Sequence, residues 1–580
     1  MSLLVASIDF GTTYSGWGFS FRHEFESDPT KVSAKNWSGG QLVSQKGPTC
    51  VLICPDGKTL DEFGYKAENK YAEMALDKGH KQWYYFRRFK MKLFKQGGVG
   101  RKLMLEDETG QKSLPAKIVF SGAIRYLKND LIKESEKRIT GGGITDADIN
   151  WVLTVPAIWN DAAKQFMREA AEEAGIAGDK LTIALEPEAA SVFCRHLPLD
   201  TTASAITSLA SFKAGTKYLV LDAGGGTVDI TVHEVGGSGE LKELYKASGG
   251  AWGGTKVDDA YEKFLVEITG PGVMGTFKEN HMDDYIDLLR DFEIKKRDIS
   301  TKKSGGKVIL RMPVALVKTV KEVTGKTMKE TIVGSVYGER IKHHGDKIQV
   351  DAEIVIELFD EPVTSILNHV STLLNRSAVR GCNKIVMVGG FSESPILQER
   401  VQKRFSGMSV IVPNEAGLAV LKGAVIFGHS PTTIAERVCK LTYGYSTTHL
   451  YSETCSHPTG RRETDKNGDM RCYDIFKIRA RAGEKVKLSQ EGPESAATPV
   501  SASQKAVGFE IYASRNPNPS HTTEKGCSKI GKLRIPIDDT LLGKAREFGV
   551  RFIFGGTEIE VKVEDKADKR VFRKRVDFLG

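Results

Sequence analysis

Four short apolar runs, Leu3–Asp9, Trp151–Val155, Tyr218–Asp222 and Ile385–Val388, each lead into a turn. Nearly continuous apolarity over so few residues is the pattern of strands buried on both faces of an α/β sheet. After Trp151–Val155 the period changes. Asn160-Asp161 is a helix-start signal, Phe166, Ala170 and Ala174 recur at i, i+4 and i+8, and Gly175 is a stop. That is one complete strand–helix unit. The segment Thr201–Gly215 is rich in Ser, Thr, Ala and Gly and has no period, so it reads as an exposed loop between two halves. From about Tyr473 the chain turns to short alternating strands: Ile475–Arg479, Phe509–Ala513, Lys532–Ile537, Arg551–Phe554, Glu558–Val563 and Val571–Phe578. No long amphipathic helix separates them, which predicts an all-β module with Glu491–Ser503 as a mobile loop inside it.

Length and composition narrow this picture. A chain of 580 residues exceeds what one core sustains, since single cores stop growing near ~250–300 residues. Three or more cores are expected. At 40% hydrophobic and 27% charged residues the chain is ordinary for a globular protein. The apolar opening meets Asp9 before a signal segment forms, and no run approaches the ~20 apolar residues of a membrane span. A cytoplasmic protein with nuclear access is the expectation. Eight cysteines are scattered without a CxxC pair, which favours free thiols in a reducing compartment over zinc or disulfides. Formal net charge is +9, concentrated in residues 431–580 where 27 basic face 20 acidic residues. So modest an excess reads as a solvated surface, with no nucleic acid expected as partner.

The chemistry lies in an internal repeat. Ile8-Asp9-Phe10-Gly11-Thr12-Thr13 and Leu221-Asp222-Ala223-Gly224-Gly225-Gly226-Thr227 share a strand, a terminal Asp, a small-residue turn and hydroxyls. Glycine lets backbone N–H groups close on an anion, threonine adds donors, and aspartate holds a hydrated cation. One such turn alone binds nothing in most proteins; two facing each other would clamp a Mg-polyphosphate. The GxxxxGK[ST] loop is absent, and Val228-Asp229-Ile230-Thr231-Val232 continues as strand, so neither a Walker loop nor a dinucleotide fingerprint is present. A third element, Lys384–Val388 followed by Gly389, Gly390 and Phe391, would let a flat base or ribose approach closely.

These motifs together resemble the 70-kilodalton heat-shock chaperone family, most closely its divergent member-twelve branch, in collinear order over roughly residues 3–428. The resemblance implies two duplicated α/β lobes of the actin-like ATPase fold, residues 1–215 and 216–430, holding ATP or ADP with Mg²⁺. A β-sandwich-like module, 431–580, would follow. In this reading Asp9 and Asp222 anchor the hydrated Mg²⁺ with Asp229 nearby. Gly11, Thr12, Thr13, Tyr14, Gly224, Gly225, Gly226 and Thr227 hold phosphates, and Glu186 places the attacking water. Lys90 is the candidate phosphate-proximal lysine, with Arg88 the alternative after a one-residue shift. Glu293, Lys296, Arg297 and Ser300, with Gly389, Gly390 and Phe391, would surround ribose and adenine. The basic aromatic run Lys81–Lys95 then reads as lobe core plus one functional cation.

Departures from the family pattern carry expectations too. Glu393 stands where the family has an arginine that stacks on adenine, and Phe391 where it has a serine. Pro156 matches a switch proline, but its arginine partner appears as Lys164, which lacks the planar multi-donor fork. In Pro431–Leu441, Arg437 and Lys440 replace the acidic flanks of the family's interdomain linker. Reversed charge is expected to weaken docking on a basic receiving surface and to hold nucleotide-dependent coupling under tenfold. After Phe578 no residues follow to form the family's helical lid. The implied function is slow ATP hydrolysis coupled to binding a polypeptide client or signalling protein through the β-module, with a nucleotide-exchange factor as further partner. A nucleotide-regulated scaffold with little hydrolysis, or a small-molecule kinase of the same superfold, are the alternatives.

Overall fold

The computed structural model describes residues 2–39, 42–94, 99–137, 144–196, 212–453, 461–464, 468–499, 502–537 and 541–579. Two sheets repeat one pattern. In the first, Leu181–Leu185, Ile149–Val155, Leu4–Asp9, Tyr14–Phe21 and Ser33–Ala34 lie side by side in that order, with Gly47–Pro48 also paired to Tyr14–Phe21. In the second the order is Ser409–Ile411, Lys384–Val388, Lys217–Ala223, Val228–Val235 and Leu241–Gly250. Each has a central antiparallel hairpin whose first strand also pairs in parallel with a later strand. Asp9 and Asp222 occupy corresponding ends of those first strands, opposite Gly16 and Asp229. The repeat read from sequence is therefore a repeat of sheet topology.

Between the sheets lie the helices Glu186–Cys194 and Ala419–His429, packed with Val5 and Val152 of one sheet and Val220 and Val386 of the other. Ala419–His429 is apolar on nearly all sides, as a helix enclosed by two sheets must be. Separate cores lie on the outer faces of the two sheets, and a fourth fills the C-terminal part. The strand–helix unit after Trp151 forms as expected. Asn160 Oδ1 accepts the Ala163 N–H at 2.9 Å, the helix runs Asp161–Glu173 with Phe166 and Ala170 buried, and Gly175 follows at φ +91°. Of the loop Thr201–Gly215, residues 201–211 lie outside the described residues.

The C-terminal part is two sheets closing on Tyr445, Phe509, Ile511, Leu533, Phe552 and Val561. One correction concerns Glu491–Ser503. Ser495–Ala497 within it is a strand paired with Phe548–Ile553, with Ser495 and Ala497 turned into the core. Small residues in a Ser/Thr/Pro setting hid a period-2 pattern. Residues 500–501 lie outside the described residues. The basic close of the chain is a hairpin between Glu560–Asp565 and Val571–Arg575, its turn exposed and Val561 and Val563 turned into the core. No described helix is long and apolar enough to cross a membrane.

The connection to this part corrects a second expectation. Ile434–Val438 adds to the second sheet, parallel to Leu241–Gly250 and antiparallel to Lys485–Lys487. The surface that receives it is acidic, not basic. Arg437 forks onto Glu188 at 2.8 and 2.6 Å and donates to the Gly555 carbonyl at 2.5 Å, all buried. Glu243 accepts the Val438 N–H at 2.7 Å, and Lys440 donates to the Ala157 carbonyl beside Pro156. The charges on the two sides of this contact are opposite, so it is complementary. Likewise the fork that Lys164 lacks comes one turn later from Arg168, bidentate to Glu558 at 2.5 and 2.6 Å, while Lys164 reaches the Thr557 carbonyl at 3.4 Å.

Candidate functional site

The turns that close the two hairpins meet head to head. A Cβ on Gly225 would lie 2.0 Å from Thr13 Oγ1, and one on Gly226 2.5 Å from Thr12 Oγ1. Only glycine permits that approach. Beside the meeting point opens a cavity of about 540 Å³, lined from both sheets. All the site residues named from the sequence line it except Asp229 and Ser300. Asp229 is buried behind the wall, where its carboxylate accepts the Ile158 N–H at 2.8 Å. Ser300 precedes the short turn Thr301–Lys303 and lies outside the lining.

One end of the cavity concentrates carboxylates. Asp9 is 4% exposed, with Oδ1 accepting from Thr154 Oγ1 at 2.8 Å and Oδ2 paired with Lys46 at 2.5 Å. Glu186 opens its helix ahead of Pro187 and pairs with Lys90 at 2.6 Å. Lys90 is 2% exposed, carried on the turn Phe89–Leu93 that follows Arg88 in a left-handed conformation, with its ammonium over the Trp159 ring. Of the two cations left open by the sequence, Lys90 is the one that lines the cavity. Arg88 points instead to Asp258 at 2.6 Å and does not line the cavity. Burial raises Glu186 to about 7, against the opposing pull of Lys90 and with help from Asp9 and Asp229. Burial and the charges of Glu186, Asp229 and Asp9 push Asp222 well above the usual carboxylate range, with Lys46 opposing.

Such a cluster favours cationic company. Oxygen donors of this kind suit a hard cation such as Mg²⁺. Among the described residues no three side chains converge closely enough to ligate a metal directly, so a cation here would be held largely through water and phosphate oxygens.

The other end is flatter and differently charged. Arg297 lies over the Tyr14 ring at 5.2 Å and pairs with Glu293 at 2.8 Å, and Lys296 pairs with both Glu293 and Asp258. These two cations hold the Glu293 carboxyl down at about 2 despite its burial. Gly389, at φ +86°, is the second position where glycine is required: a Cβ there would meet Asp222 Oδ1 and the Ala223 carbonyl, both at 2.5 Å. Phe391 lines the wall but is stacked on Phe359, and Glu393 accepts the Gly417 N–H at 2.9 Å. Lys46 was not singled out from sequence. Its signal is weak, a Lys in the turn Gln45-Lys46-Gly47-Pro48.

Comparison with known proteins matches the sequence of this chain to a family. The family model described as "Hsp70 protein" matches residues 102–449. The human protein "Heat shock 70 kDa protein 12B" is 33% identical over 641 residues, covering 100% of this chain and 91% of that protein. Human "Heat shock 70 kDa protein 12A" is 33% identical over 630 residues, covering 100% and 92%. "Chaperone protein dnaK" of Cyanidium caldarium is 27% identical over 341 residues, 57% of this chain and 48% of that protein.

Proposed function

Because the chain belongs to the Hsp70 family, in company with its member-twelve proteins, we propose that it binds Mg-ATP between two actin-like lobes and hydrolyses it slowly. The lobes are residues 1–215 and 216–430, and 431–580 form a ligand-binding β-module, in a protein of the cytoplasm with access to the nucleus. One observation carries this reading: a cavity lined by both phosphate-type hairpins, with surplus carboxylate at one end and the Arg297–Tyr14 pair at the other. Polyphosphate with its metal fits the first end, and a ribose and base fit the second.

In this reading the hairpin turns hold the β- and γ-phosphates, and Asp9 and Asp222 take the hydrated metal. The metal supplies charge neutralisation on the transferring phosphoryl group. Glu186 sits near 7 and is steered by Lys90, so at neutral pH it accepts a proton from a water on the phosphate side. Catalysis of this type is positioning and electrostatics, and asks no covalent step of a side chain. A polypeptide client or signalling protein occupies the β-module, and an exchange factor acts on the lobes.

A scaffold with little hydrolysis is favoured by one feature, that both oxygens of Asp9 already have protein partners. Phosphate release from ATP, measured with and without added peptides or sugars, separates the readings. Slow release stimulated by peptide supports the chaperone-like function. Binding without release supports the scaffold, and ADP formed only with a sugar, the phosphate being on the sugar rather than free, supports a kinase.

A further inference from the structure

Lys46 is the least expected side chain at the phosphate end. It sits in the turn between Leu42–Ser44 and Gly47–Pro48, and Gly47 and Pro48 are tied to Ser15 and Tyr14 at the start of the first hairpin's second strand. That placement sends the side chain inward, only 14% exposed. Its ammonium lies 2.5 Å from Asp9 Oδ2 and 2.6 Å from the Gly417 carbonyl, on the opposite side of the cleft. An ammonium has three protons, so one N–H remains for a phosphate oxygen. Lys90, a second buried ammonium, pairs with Glu186. Lys46 and Lys90, with Lys440 behind Asp229, thus face the four carboxylates Asp9, Glu186, Asp222 and Asp229.

Building on the nucleotide reading, we propose that Lys46 is a resident cation of the phosphate end, a positioning residue that neutralises Asp9 and receives phosphate oxygen whether or not a divalent metal is bound. The physical reason is the charge balance. A polyphosphate entering a buried cluster of carboxylates is repelled unless positive charge accompanies it, and in a low-dielectric cleft that repulsion is large. Most of the compensation ordinarily comes with the metal. Here part of it is built into the chain, at Asp9, whose two oxygens are both engaged by protein donors, Thr154 and Lys46. Nucleotide affinity should therefore depend only weakly on magnesium, and removing the Lys46 charge should make it depend strongly.

The test is the Kd of ADP for the full chain by calorimetry, in excess Mg²⁺ and in EDTA, for the wild type and for Lys46→Met, with Lys46→Gln as a second variant should the first fold poorly. We expect wild-type affinities in the two conditions to lie within tenfold of each other, and the ratio to widen at least tenfold in the variant, chiefly through loss in EDTA. Wild-type binding that vanishes without Mg²⁺ overturns the proposal. So does an unchanged ratio in a variant that melts cooperatively, which would leave Lys46 a mere latch between Asp9 and Gly417. ADP that binds neither protein in either condition overturns the nucleotide reading itself, and this inference with it.

Discussion

Glu186 and Glu188 stand two residues apart at the start of one helix, and burial pushes both carboxyls upward, yet they end on opposite sides of their ordinary value. Glu188 is lowered, because Arg437 grips both its oxygens, and Glu243 is raised instead, by its burial and by the repulsion between it and Glu188. Glu186 rises to about 7, because Lys90 alone does not offset its burial and its neighbours Asp9 and Asp229. The same contrast separates the two regions these residues face. The seam that receives the linker pairs Arg437 with Glu188 and Arg168 with Glu558, and holds Glu243 by the Val438 N–H. The cleft leaves carboxylates in excess. A satisfied set of buried charges has a structural task, whereas an unbalanced one awaits a cation or an anion brought with its cation.

The strongest way to break the comparison is to unbalance the seam. Arg437→Ala would leave Glu188 buried and unpaired, an arrangement that costs about 3–5 kcal/mol. Hydrogen exchange across Ile434–Val438 should rise steeply as the linker strand leaves the second sheet. Arg437→Met with Glu188→Leu should recover most of the protection, since no lone charge remains. If the single variant exchanges like the wild type, the pair does not hold the linker.

In the cleft, Asp222→Asn and Asp9→Asn remove a charge while keeping the volume. Both should lower Mg-dependent phosphate release by about 10²–10³-fold, comparable to losing one preorganised electrostatic contact. Melting should hold or improve in Asp222→Asn, because the carboxylate lost is one the fold disfavours ionised. Unchanged turnover in both variants would remove the catalytic assignment.

How much of this was legible beforehand follows the same division. The cleft was readable because its constraints are local: strand, Asp, small turn and Thr occur within seven residues, twice. The seam was not, because its partners are distant in sequence, Arg437 lying 249 residues from Glu188 and Arg168 lying 390 from Glu558. A reversed charge in the linker signals weaker docking only while the receiving surface is assumed unchanged. Lys46 escaped for a related reason, since nothing near it in sequence foretells the Asp9 and Gly417 contacts. Ser300 is the converse case, placed by spacing but found at the turn Thr301–Lys303 and outside the cavity lining.

The carboxyl of Glu186 offers a smaller, pH-resolved test. Its folded value is about 7 against an ordinary 4.5, so between those limits the folded chain binds more protons than the unfolded one. The stabilisation from holding that proton is complete below about 4.5 and is lost as pH rises through about 7. Glu243, at the linker, is raised to about 7 as well and adds a second contribution of the same sign. Nucleotide-free Tm should therefore fall between pH 5 and 8. Glu186→Gln should flatten part of that slope and Glu243→Gln another part. A slope unchanged by Glu186→Gln would show that this carboxyl is ionised throughout.

The smallest expected effect is the coupling between cleft and seam. Glu186 and Glu188 share the first turn of one helix, so a nucleotide that shifts Glu186 has a short mechanical path to Arg437 and, through it, to the Gly555 carbonyl of the β-module. Contiguity alone is not coupling, however; the linker must have two arrangements whose balance the nucleotide alters. Leaving the seam means separating a buried pair at about 3–5 kcal/mol, plus the contacts of Glu243 and Lys440. A linker that well satisfied should stay docked with either nucleotide. The prediction of weak coupling therefore stands on a different footing from the sequence argument: docking is too good rather than too poor. Exchanging ATP for ADP should change the affinity of a fluorescein-labelled extended apolar peptide by less than tenfold, under about 1.4 kcal/mol. By reciprocity the peptide should shift ATP affinity by the same factor. Arg437→Ala then sharpens the contrast, because a weakened seam brings the docked and released states closer in energy and should enlarge the difference between nucleotides. A hundredfold effect in the wild type, or a smaller one in the variant, would mean that the seam transmits by some motion other than release of the linker.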